Sequence, residues 1–133
     1  MDNATAATFT DCSIDNPGLG TAIMVRHNAT LNLNNSSLNS AGVRALELHD
    51  LGSSASITNS ILTSPASQNT ISLGTGTAIT NISGTTLNGG TNPFRYGLWG
   101  WGGETVNSGG GNTVASTNGT NGMFGCIMTG TWP

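Results

Sequence analysis

The chain has 133 residues, enough for one domain around one core. Charged residues are only 7% of it, lysine is absent and the net charge is −3, so there is no basic patch to grip nucleic acid or an anionic membrane. Gly, Asn, Ser and Thr fill over half of the chain, which disfavours helices and leaves two classes, polar low-complexity disorder or an all-β repeat with polar turns.

Periodicity separates the two. Taken in chain order, short alternating apolar segments lie at Phe9, Ile14 and Ala22-Met24, then at Leu31-Leu33, Leu38 and Leu46-Leu48. They return at Ala55-Ile57, Leu62 and Ile71-Leu73, and again at Ile79-Ile82, Leu87 and Tyr96-Leu98. Within the pairs Ala22/Met24, Leu46/Leu48, Ile71/Leu73 and Tyr96/Leu98 the apolar spacing is two residues, the strand period. Between units the step is 24 or 25. Phe9, Leu33, Ile57, Ile82 and Val106 form one column, and Ile14, Leu38, Leu62 and Leu87 a second. Ala22, Leu46, Ile71 and Tyr96 form a third, and Met24, Leu48, Leu73 and Leu98 a fourth.

A column of corner residues accompanies them: Asp11, Asn35, Asn59 and Gly84. Asp, Asn and Gly tolerate a left-handed backbone, so this column predicts one tight corner made repeatedly. Pro17, Pro65 and Pro93, with Gly18, Gly20 and Gly42, mark another. A unit of strand, corner, strand and loop cannot bury its apolar side alone; stacking such units does so. The alternative, a β-sandwich of short hairpins, does not require columns in fixed register. The expectation is therefore an all-β solenoid of about five coils of 24–25 residues, with strands pairing in parallel at about 4.8 Å.

Residues 29–38 (ATLNLNNSSL) and 54–62 (SASITNSIL) resemble rungs of right-handed parallel β-helices, as in phage tailspikes and virion decoration spikes, pertactin-like autotransporter passengers and pectate-lyase-like enzymes. The Asp11/Asn35/Asn59/Gly84 column is similar to the asparagine-ladder corner of that fold. The likeness implies architecture and is mute on function, because the fold carries many unrelated activities.

Beyond residue 98 the pattern changes. Residues 1–98 read as regular coils and 99–133 as an irregular last coil with an aromatic-rich cap of the same domain. Phe94, Tyr96, Trp99, Trp101, Phe124 and Trp132 crowd this end, while Gly111 falls where Leu87 predicts a leucine. The aromatic cluster reads as a cap or subunit interface. Alternatively, Trp99 and Trp101, two apart on one strand, make a sugar-stacking platform, with Tyr96 and Phe94 as further glycan or partner contacts.

Arg26, His27, Arg44, Glu47, His49 and Asp50 form the one charge cluster, and Arg26 and Asp50, 24 apart, are expected to pair between adjacent coils. Its plain reading is a surface salt bridge worth about 0–1 kcal/mol. Its catalytic reading is a glycosidase carboxylate pair, Glu47 and Asp50, assisted by His49. The histidines and cysteines have no metal-ligand spacing and no cofactor motif is present, so neither a metal nor a cofactor is expected. Cys12 and Cys126 belong to the first and last coils, too far apart for a disulfide, and are expected as free thiols. Thr8/Thr10 and Thr75/Thr77 miss the common step, which argues against an ice-binding face.

No apolar run is long enough to span a membrane. The start Met1-Asp2-Asn3-Ala4-Thr5 has neither a basic nor an apolar leader segment, so either the address lies elsewhere or the protein is made and assembled in the cytosol. The expected function is a non-enzymatic structural protein on a phage virion surface, tailspike-like or capsid-decorating. It would be a homotrimer that contacts other virion proteins and host glycans, without nucleic acid or membrane insertion. The alternatives are a fragment of a secreted, cell-surface adhesin of the autotransporter type and a small polysaccharide-active enzyme.

Overall fold

The computed structural model describes residues 5–133; of the Met1–Thr5 start read for a leader segment, residues 1–4 lie outside the described residues. Among the described residues there are fourteen strands and no helix. They wind into a parallel β-solenoid of about five turns with three faces.

On the first face β1 (Ala6–Thr10), β4 (Thr30–Asn34), β7 (Ser54–Thr58) and β10 (Ala78–Ser83) pair in parallel in that order. The second face stacks β2 (Ser13–Asn16), β5 (Ser37–Ser40), β8 (Ile61–Thr63), β11 (Thr86–Asn88) and β13 (Thr113–Val114). The third stacks β3 (Ile23–Val25), β6 (Leu46–Leu48) and β9 (Ile71–Leu73). The thirteen-residue β12 (Leu98–Gly110) pairs with β9 at its start and with β10 further on, joining the third and first faces into one sheet. β14 (Met123–Thr131) follows it in parallel. The segment expected as irregular is thus largely strand, with bulges inside β12 and a non-strand stretch over 115–122.

Inside the coil the apolar columns lie rung upon rung. Phe9, Leu33, Ile57 and Ile82 are in register on the first face, and Ile14, Leu38, Leu62 and Leu87 on the second. Every leucine or isoleucine of the middle rungs in these columns is fully buried. Burying such a side chain is worth about 1.5–3 kcal/mol. In the first coil Phe9 and Ile14 are only partly buried, because that rung has a neighbour on one side.

Four column assignments are corrected. Val106 stacks on Ile79, not Ile82, which faces Ser108. On the third face Ile23 and Val25, not Ala22 and Met24, lie over Leu46 and Leu48. Leu98 continues the Ile71 column and Gly100 the Leu73 column, which leaves Tyr96 before the strand. Val114 occupies the place below Leu87, while Gly111 makes the next corner at φ 69°. The cause is coil length. The step from Ile71 to Leu98 is 27 residues, and a slip of one residue reverses which side chains face inward.

The corner between the first and second faces is left-handed in every coil. Asp11, Asn35 and Asn59 have φ of 55°, 47° and 48°, and Gly84 has 56°. The Asn35 amide donates to the Asp11 carboxylate of the coil before it. A second ladder, which the sequence reading missed, runs one residue further on. The Cys12 N–H donates to Ser36 Oγ (3.1 Å) and the Ser36 N–H to Ser60 Oγ (3.2 Å). Both serine hydroxyls donate back to carbonyls, at Asn34 and Thr58. The turn's buried amides are thereby satisfied from the neighbouring coil, and each corner needs the next one.

A solenoid of this kind is stabilised between neighbours, so position in the stack sets the cost of a cavity. Leu62→Ala, in a central rung, is expected to cost about 2–5 kcal/mol. Ile14→Ala, on the half-covered first rung, should cost distinctly less in urea unfolding; equal costs would contradict this account.

Candidate functional site

The outward side chains of the third face form columns as strict as the buried ones. Register places Met24, Glu47, Ser72, Trp99 and Phe124 in one. Two residues along each coil, Arg26, His49, Gly74 and Trp101 follow the same order, with the His49 N–H bonded to the Val25 carbonyl and the Gly74 N–H to that of Leu48. Side-chain size therefore changes down the face. The second coil projects charged and imidazole groups, the third only Ser72 and Gly74, and the fourth two indoles. A groove of about 450 Å³ opens over the small residues, lined by Arg44, Glu47, His49 and Asp50 on one wall and Trp99 and Trp101 on the other. A larger residue at position 74 is blocked, since a Cβ there would lie 2.4 Å from the His49 carbonyl oxygen.

Sequence reading treated the charge cluster and the tryptophans as separate candidates; the coil brings them to one place. The expected Arg26–Asp50 pair forms at 3.2 Å. Asp50 also meets His27 Nε2 (3.3 Å) and His49 Nδ1 (2.9 Å). Arg44 Nη1 lies 3.0 Å from Glu47 Oε2, which the Thr21 hydroxyl also reaches. The His49 hydrogen bond foremost, with Arg26 and the charge of His27, holds the Asp50 carboxyl below the usual carboxylate range against desolvation, the second-largest influence, which acts to raise it.

Two polar atoms in the groove have no such partner. Ser72 Oγ and Arg44 Nε are buried without a hydrogen-bonding neighbour, and Ser72 is 3% exposed. Ser72 carries no chemical signature in the sequence. Only its place between Glu47 and Trp99 in register marks it, and that place shows once the coil lengths are known.

Trp99 and Trp101 meet edge to face with centroids 5.0 Å apart, and Trp101 is 72% exposed. Tyr96 lies elsewhere, stacked on Phe124 at 5.1 Å, and Phe94 projects from the preceding loop with φ 60°. Neither lines the groove. Trp101 owes its projection to a bulge. Five positions separate Trp99 from Glu104, against two between their partners Phe124 and Cys126 on β14. Past the bulge Glu104 turns inward, 2% exposed, and its Oε2 accepts the Gly102 N–H at 2.7 Å. The carboxylate thus pins the glycine bulge from inside the coil. Burial, reinforced by the Glu104 charge, pushes the neighbouring Cys126 thiol up to about 12. Both cysteines are free. Among the described residues no three His, Cys, Asp or Glu side chains gather as metal ligands.

Two outcomes follow. The folded pKa of Asp50 lies below its unfolded value, so its contribution to stability is present above about pH 3.9 and is lost as pH falls through the lowered value. Thermal unfolding should show wild type more stable than Asp50→Asn near neutrality, with the gap closing in acid. In the native protein at about pH 8, iodoacetamide should leave Cys126 unmodified, because the thiolate is the nucleophile and its population there is negligible. Peptide mapping after denaturation should show it labelled.

In comparisons with protein-family models, curated proteins and solved structures, the chain matches none.

Proposed function

We propose that the chain is a non-enzymatic surface protein of the virion-spike type, a rigid β-solenoid that holds a glycan across its third face. The observation that carries this reading is the convergence of two outward indoles with a wall of paired charges over the Ser72–Gly74 depression. A pyranose has an apolar face that suits an indole and a rim of hydroxyls that suits carboxylates, guanidinium and imidazole. A mainly fixed groove with a few convergent polar groups is the usual form of a small-ligand site.

The carboxylates speak for binding rather than hydrolysis. A glycosidase needs one carboxyl held protonated by a raised pKa, facing a second one that is ionised. Here Asp50 is pulled in the opposite direction by three basic neighbours, and Glu47 is engaged by Arg44. Among the described residues the first and last rungs each pair on one side only, and assembly of copies about a threefold axis, or contact with other virion proteins, would cover such edges. The same groove would serve a secreted adhesin. A trimer by light scattering favours the virion reading, and a monomer the adhesin.

The test of the glycan site is a bacterial surface-glycan array followed by titration of tryptophan fluorescence. Wild type should bind at least one glycan. Trp99→Ala and Trp101→Ala should each weaken it about 2- to 10-fold, the range expected for one aromatic contact. A blank array, or binding unchanged in the double variant, overturns the reading.

A further inference from the structure

We infer that the sugar taken by this groove is an acidic one, whose carboxylate docks on Arg44 and Ser72 while its ring lies against Trp99. The inference rests on the glycan reading above and adds the chemical class of the ligand.

Three observations carry it. First, Arg44 Nε and Ser72 Oγ are buried donors without an acceptor, and both residues line the groove. A buried donor left unmade costs about 1–3 kcal/mol, so two of them in residues that line one groove mark a place completed by something else. The remaining buried atom of this kind among the described residues, Ser53 Oγ, belongs to a residue that does not line the groove. Second, Arg44 meets Glu47 through Nη1 alone. A guanidinium is a rigid planar fork that presents parallel N–H groups to a carboxylate, and the edge bearing Nε remains for a second anion.

Third, the local charge is favourable. Four of the five basic side chains of this chain, Arg26, His27, Arg44 and His49, lie at or beside the groove. Against Glu47 and Asp50 they give a formal charge of 0 with both imidazoles neutral and +2 with both protonated, whereas the whole chain carries −3. The rest of the lining, Leu51, Ser72, Leu73, Gly74, Thr75 and the two indoles, carries no charge. A carboxylate can accept from the guanidinium edge and the serine hydroxyl together, which a single sugar hydroxyl does less well.

The test compares sugars that differ only in the acid group. β-1,4-linked triglucuronate is set against cellotriose, and 3′-sialyllactose against lactose, by isothermal titration at about pH 6 and low salt. At least one acidic member should bind ten-fold or more tightly than its neutral counterpart. Arg44→Lys keeps the charge and the Glu47 pair but removes the Nε edge, and Ser72→Ala removes a hydroxyl that bonds nothing in the protein, so both variants should fold. Each should cut the preference several-fold, the acidic member losing more affinity than its neutral counterpart. Equal binding of acidic and neutral members, or a preference that survives both substitutions, overturns this inference and leaves the glycan site standing. Binding of array glycans that all lack an acid group does the same. A blank array together with no binding of any of the four sugars removes both.

Discussion

The whole molecule depends on one constraint, that successive coils hydrogen-bond in parallel and in register. With rungs about 4.8 Å apart, a residue meets its own counterparts above and below more closely than anything else. Like therefore stacks on like. Leucine and isoleucine columns fill the interior, and hydroxyl and amide columns close the tight corner. Because each corner amide finds its acceptor in the adjacent coil, backbone satisfaction and apolar burial are won together or lost together.

The same constraint builds the groove. An outward column is a line of side chains at fixed spacing, so a depression arises wherever one rung carries small residues between larger neighbours. Ser72 and Gly74 do this between the Glu47/His49 rung and the Trp99/Trp101 rung. Glu47, Trp99 and Trp101 stand on strands, while Arg44, His49 and Asp50 sit in the segments that flank β6. The parallel register of β6, β9 and β12 sets how far apart the Glu47 and Trp99 rungs lie.

Where the coil departs from regularity, chemistry gathers. The bulge in β12 lifts Trp101 out of the sheet and turns Glu104 into the interior. A carboxylate in an apolar coil is costly unless it is bonded, and the Gly102 amide provides a bond. Its cost is tied to the display of an exposed indole. The raised Cys126 pKa is a further consequence of that buried charge.

Much of this was legible in the sequence. Column spacing announced a parallel stack, and Asp11, Asn35, Asn59 and Gly84 announced its corner, because short-range steric rules act on residue types directly. The separation of Arg26 from Asp50 by one coil length likewise announced their pairing. What the sequence could not settle was the phase of the coils that depart from the common length. Ile23 for Ala22, Ile79 for Ile82 above Val106, and Gly111 as a corner all hinge on how loops and bulges absorb extra residues. Those choices are made by cooperative packing of the whole stack, and they alone decided that Ser72 would lie between a guanidinium wall and an indole wall.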